Sequence, residues 1–183
     1  MGDALQRRGL HGVGLNEILD DAQAPKGVMY HHFPGGKTAL AVAAIEAAAE
    51  SLSRALDKAL QREADPVAAL LIWLSNGARL LGASGYERGC PLATVALESG
   101  PDDPEIRAAL AIAFATLRER MSSAFRQAGH GDAEAIGLAT LIVAAYEGGL
   151  LQSRVAGNGD PMAAVIRSLT GLLTAQPKRR RTR

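Results

Sequence analysis

Three Asp-Pro pairs, Asp65-Pro66, Asp103-Pro104 and Asp160-Pro161, divide the chain into stretches whose apolar residues recur at helical spacing. Proline is tolerated in the first turn of a helix, where its missing N–H had no intrahelical partner, and is costly further in. Each pair therefore reads as a helix start. Glycine-rich breaks stand at the other ends: Gly82 to Gly85 stops one helix, and Gly129-His130-Gly131 another. Runs of β-branched and aromatic residues, the signature of strands, are nearly absent. Aromatics are 4% of the sequence against 48% hydrophobic residues, so the core is aliphatic. The expected fold is all-α.

The first forty residues break the pattern of long helices. Leu15, Ile18, Leu19 and Ala22 lie on one face of a short helix, and Gln23-Ala24 interrupts it. Pro25 opens a second short helix with Met29 and Phe33 inward, closed by Pro34-Gly35-Gly36. A long Ala-rich helix follows from Lys37 to about Arg62. Two short helices joined by a tight break and followed by a long one form the helix-turn-helix pattern, in which the second helix lies in the major groove of DNA.

The residues not needed inside that second helix suit such a role. Lys26 can reach a phosphate or a guanine. Gly27 allows close backbone approach, and Val28 can touch a thymine methyl. Tyr30, His31 and His32 can bond phosphates. Lys37 adds a charge at a helix N-terminus, which favours anions. The alternative is a plain helical hairpin with a solvated face. Charge does not decide: in residues 1–40, Arg7, Arg8, Lys26 and Lys37 face Asp3, Glu17, Asp20 and Asp21. A basic footprint is the usual mark of a nucleic-acid binder, and here it is weak. The formal net charge of +1 becomes −4 without Lys178, Arg179, Arg180, Arg181 and Arg183. That tail, 177–183, is expected to be disordered, and it can add nonspecific DNA affinity.

The segment Gly12 to Leu40, GVGLNEILDDAQAPKGVMYHHFPGGKTAL, resembles the DNA-binding domain of the TetR family of transcriptional regulators. Within it, KGVMYHHFPGGK is similar to that family's recognition helix and the start of its fourth helix. The doubled Gly35-Gly36, the block RGCPLATVALE from Arg88 to Glu98, and EGGLLQSRV from Glu147 to Val155 are similar to the LmrA/YxaF-like branch. The resemblance implies a helix-turn-helix domain over 1–45 and a helical ligand-binding and dimerisation domain over 46–176. It further implies a repressor that binds a palindromic double-stranded operator as a homodimer, released by a small apolar effector. The sequence departs from the family in three places. The first helix is short, with few residues before Gly9, which raises the question whether Met1 is the natural start. Val13-Gly14 stands where Ser or Thr is usual, and Val28 replaces a common Ser or Thr. A second reading is thus a helical ligand-binding dimer with impaired DNA binding.

For dimerisation, Ile136, Ala139, Val143 and Tyr146 share one face of a helix, and Val165, Leu169 and Leu172 share one face of the last. These faces either pair across a two-fold axis or complete the monomer core. Trp73, Phe114, Leu117, Met121 and Tyr146 are the large or adaptable residues that would line an apolar effector site, unless they are ordinary core. Cys90 precedes Pro91 at an expected helix start, where thiols become more acidic; a buried structural cysteine is the other reading. One cysteine permits no intrachain disulfide and fits a reducing cytoplasm. No uninterrupted apolar run of about 18 residues suggests a membrane helix. His11 and His130 lack neighbours at metal-ligand spacing, so neither metal nor cofactor is expected. Cys90, Glu98 and Glu147 form no recognisable acid–base set, so no enzyme is expected.

Overall fold

The computed structural model describes residues 1–174, and among these residues all regular structure is helical. In chain order the helices are α1 (Gly2–Arg8), α2 (Leu15–Asp21), α3 (Lys26–His32), α4 (Gly36–Arg62), α5 (Pro66–Ala83), α6 (Pro91–Glu98), α7 (Pro104–Gln127), α8 (Asp132–Ala156) and α9 (Asp160–Thr174). The basic tail lies outside the described residues.

The three Asp-Pro pairs all start helices, by different local chemistry. Asp65 is a true N-cap, its carboxylate accepting the Val67 N–H at 3.0 Å with Pro66 in the first turn. Asp103 turns backward instead and accepts the Gly100 N–H at 3.0 Å. Asp160 is already helical, and Asn158 supplies the acceptor for its N–H at 3.0 Å. Two expectations shift by one position: Pro25 is the N-cap of α3 rather than its first residue, and α4 begins at Gly36 rather than Lys37. Gly131 is the N-cap of α8. Asp132 sits in the first turn, where its charge favours the helix dipole. α5 runs through Gly82 to Ala83, because one helical glycine costs only about 1 kcal/mol; the reversal falls at Gly85, with φ +67°.

The chain forms two compact units. The first combines Met1–Glu50 with Arg88–Phe114, and the second combines Ser51–Glu87 with the described residues from Ala115 to Thr174. α6 lies against α1, burying Leu92 and Val95 while Leu5 is buried in the same unit. The remaining core of this unit includes Ile18, Leu19, Met29, Ile45, Ile106 and Leu110.

In the second unit α8 packs on α9, and α5 packs on both. Gly149 makes the first contact possible: a Cβ there would come within 2.5 Å of Met162 Sδ. Ser153, fully buried on α8, accepts the Met162 N–H at 3.0 Å and so satisfies a donor in the first turn of α9. Trp73 on α5 donates its indole N–H to the Leu52 carbonyl at 3.2 Å and packs on Tyr146, ring centroids 4.4 Å apart. Replacing Trp73 by alanine is expected to lower the stability of the chain by about 3–5 kcal/mol, and by phenylalanine by about 1 kcal/mol, the share of its hydrogen bond. Urea unfolding followed by circular dichroism reads this, since Trp73 is the sole tryptophan.

The surface of α8 differs from the expected face. Ala139, Val143 and Tyr146 are buried within their own unit, and only Ile136, 54% exposed, looks outward. The outward apolar residues are Ile136, Leu141, Leu151 and Val155, together with Leu172 on α9. Leu169, expected beside Leu172, is buried. The reason is that α8 is apolar on nearly every side. Periodicity finds an apolar stripe on such a helix but not which stripe faces the core. α5 and α8 are also long and apolar enough to cross a membrane by composition, at mean hydropathy 1.3 and 1.4. Here that apolarity supplies Leu70, Trp73, Leu74, Ile142 and Leu150 to the core.

Candidate nucleic-acid interface

α2 ends in a paired-bond motif that sets the tight turn. The Ala24 N–H donates to the Leu19 carbonyl at 2.9 Å and the Gln23 N–H to the Asp20 carbonyl at 3.0 Å. This is the Schellman pattern, with Gln23 in the left-handed position (φ +52°) that glycine usually fills. Pro25 follows in an extended conformation and launches α3.

α3 then divides as its sequence suggests. Met29 is buried and Phe33 half-buried, while Lys26, Gly27, Val28, Tyr30, His31 and His32 are exposed on the outer face and end. Val28 and Tyr30 are each 50% exposed, large apolar surface that folding of this chain leaves in water. The His31 and His32 rings meet edge to face, centroids 5.2 Å apart. Tyr30 leans on the start of α4. Its ring edge lies 3.6 Å from where a side chain at Gly36 would begin, and Gly36 has φ +64°. The second glycine of the Gly35-Gly36 pair thus serves a left-handed backbone, with the Tyr30 ring in van der Waals reach of it. Lys37 is half-buried and Thr38 exposed in the first turn of α4, where unsatisfied N–H groups favour a phosphate.

Ion pairing explains the weak charge balance of this region. Asp3 pairs with Arg7 at 3.1 Å and with Arg88 at 2.6 Å, and Arg8 pairs with Glu17 at 2.5 Å, joining α1 to α2. Lys26 and Lys37 have no carboxylate partner among the described residues, so their charges remain for an incoming anion. The Arg8 hydrogen bond holds the Glu17 carboxylate below its usual range, and Glu17 holds Arg8 above its own. A depressed carboxylate stabilises the fold above its unfolded pKa and loses that contribution as pH falls through the folded one. Both groups are well exposed, so the effect is small.

Of the residues considered for an effector, Trp73, Leu117, Met121 and Tyr146 are buried in the second unit and Phe114 is half-buried in the first. Gly77 makes room for Tyr146, since a Cβ there would collide with the phenol. A groove of about 630 Å³ in the second unit involves none of these five; Asp57, Leu60, Glu63, Glu119, Arg120 and Gln127 are among its walls. Cys90 is buried at the N-cap of α6. Among the described residues no cluster of His, Cys, Asp and Glu could hold a metal ion.

The bacterial regulatory proteins, tetR family, model matches residues 3–44, and the model of the transcriptional regulator LmrA/YxaF-like C-terminal domain matches residues 66–168. The chain belongs to the TetR family. Its similarity to the HTH-type transcriptional regulator LmrA of Bacillus subtilis is 29% identity, covering 92% of this chain and 89% of that protein. The crystal structure of the regulatory protein TetR from Rhodobacter sphaeroides superposes with TM-score 0.80 at 30% identity, covering 91% and 90% of the two chains. The fold also matches a cysteine mutant of the TetR-family regulator CifR complexed with 26-base-pair operator DNA, with TM-score 0.77 and 20% identity over 97% and 96% of the chains. This TetR-family chain is a DNA-binding transcriptional regulator and not an enzyme.

The structure also reveals contacts that no local pattern in the sequence announces. Gly36 beside Tyr30 was legible only as one half of a doubled glycine. Glu98, which bonds the backbone of His11, lies 87 residues from its partner, and nothing in its own neighbourhood marks it.

Proposed function

We propose that the chain is a cytoplasmic one-component repressor, a homodimer that binds a palindromic operator and releases it when a small apolar molecule binds. The observation that carries DNA reading by α3 is its outer face: Lys26, Gly27, Val28, Tyr30, His31 and His32 stand clear of the core while Met29 anchors the helix. Lys26, Tyr30, His31, His32 and Lys37 hold phosphates and set the register, and Val28 approaches the bases. Domain 1–45 carries this reading, and 46–176 carries dimerisation and the effector. The outward apolar stripe of α8 with Leu172 of α9 supports the dimer, since a palindrome read by two copies requires two-fold symmetry. The two recognition helices then sit one helical turn of DNA apart, roughly 34–36 Å.

The effector is held by the buried apolar residues Trp73, Leu117, Met121 and Tyr146 of the second unit. These side chains are packed, so the effector selects a second conformation in which they part. α4 runs unbroken from the DNA-binding region into the second unit and transmits the change. The effector must bind the released state more tightly than the operator-bound state, or it shifts nothing.

The test is binding of the full chain to the DNA upstream of its own gene, followed by a panel of neutral apolar compounds and a promoter reporter. The expected result is sequence-specific binding, a reporter that rises when the gene is deleted, and at least one compound that releases the DNA. A reporter that falls on deletion would make the chain an activator.

A further inference from the structure

The turn between α1 and α2 is held by a segment far along the chain. α1 closes on Gly9, which is buried with φ +71° and ψ −170°, a conformation that favours glycine. A Cβ at Gly9 would overlap the carboxylate of Glu98, the last residue of α6. That carboxylate accepts the His11 backbone N–H at 2.9 Å. His11 belongs to neither α1 nor α2, so no helix supplies this donor with an acceptor. Two further ties bind the same segment to α1: the Gly89 N–H donates to the Gln6 carbonyl at 3.2 Å, and Arg88 pairs with Asp3 at 2.6 Å. Residues 88–98 thus grip α1 at its first turn, near its end and just beyond it.

We propose that Glu98 is a positioning residue for operator recognition, its carboxylate fixing the turn between α1 and α2 and thereby the placement of the helix-turn-helix without touching DNA. The absent side chain at Gly9 lets the carboxylate reach the turn. A charged acceptor bonds a backbone N–H about twice as strongly as a neutral one. On the other side of the turn, Arg8 carries the constraint into α2 through Glu17. Once the turn is released, α2 and α3 sample orientations of which only a fraction fits two half-sites, and apparent affinity falls by that fraction.

The inference rests on DNA reading by α3. It is tested with the full chain and a palindromic duplex that the wild-type protein selects from a random pool. Glu98→Met keeps the length of the side chain and removes the acceptor; Glu98→Gln keeps an acceptor oxygen. The Met variant is expected to bind about ten-fold more weakly, with an unchanged salt slope because no phosphate contact is lost, and with faster exchange of the His11 amide. The Gln variant is expected within about three-fold of wild type, as a neutral acceptor restores about half of the bond's strength. Gly9→Ala leaves Glu98 in the sequence but displaces its carboxylate, and is expected to weaken binding as the Met variant does. Wild-type affinity in the Met variant or in a folded Gly9→Ala, a Gln loss as deep as the Met loss, or a reduced salt slope each overturns the inference. A wild-type chain that selects no duplex overturns the DNA reading, and the role of Glu98 with it.

Discussion

Replacing Lys26 and Tyr30 together by alanine lowers operator affinity by about a hundred-fold, on the ground that each lost contact of this kind costs roughly 1–3 kcal/mol. Both side chains are exposed, so the fold is untouched and stability stays within about 0.5 kcal/mol of wild type. The salt dependence of binding becomes shallower, since a released phosphate no longer frees its counterions. Tyr30 carries a further consequence. Its ring rests against Gly36, where the left-handed backbone (φ +64°) strains any side chain introduced beside it. Fluorescence anisotropy across a salt series measures the loss, with Arg167→Ala on α9 as an exposed cation that leaves affinity unchanged. A double variant that binds as wild type would remove α3 from the interface.

In the proposed homodimer, a glutamate at Leu151 is expected to convert the chain to a monomer. Leu151 is 51% exposed on α8, in the stripe with Ile136 and Val155, and Val155 is 83% exposed. Across a two-fold axis each new carboxylate lies near its own copy in a surface losing water. Like-charge juxtaposition of this kind costs several kcal/mol, enough to weaken association by at least about a hundred-fold. Sedimentation of wild type and variant decides it. Ile112→Glu, at a more exposed position on α7, is expected to leave the association unchanged. The Leu151 variant also loses the palindrome, because one protomer reads only one half-site. A wild-type chain that sediments as a monomer, or a variant that stays dimeric, would send the interface elsewhere.

The helices themselves were legible because their signals are local. Asp65-Pro66 writes its own cap, and Met29, with Phe33 just beyond the helix end, turns inward and leaves Val28 and Tyr30 exposed on the flanks of α3 and Lys26 exposed at its start. The outer face of the recognition helix could be named in advance for the same reason: a short helix with one buried methionine has little choice of which side to bury. α8 offered no such choice. With apolar residues nearly all round, its sequence permitted the stripe through Ala139, Val143 and Tyr146 to face a partner, and packing against α5 and α9 gave those residues to the core.

By itself, then, the sequence determined the all-helical class, the breaks between helices, the tight turn at Gln23 and the solvent-facing side of α3, all of which follow from propensity, punctuation and period over a few residues. Only the tertiary structure decided that 88–114 packs with the N-terminal helices, that Ile136, Leu151 and Val155 are the outward side of α8, and that Glu98 reaches the backbone of His11. The physical reason is common to all three. Each depends on which of several acceptable apolar or polar surfaces finds a complementary neighbour, and that neighbour is brought by folding from tens of residues away.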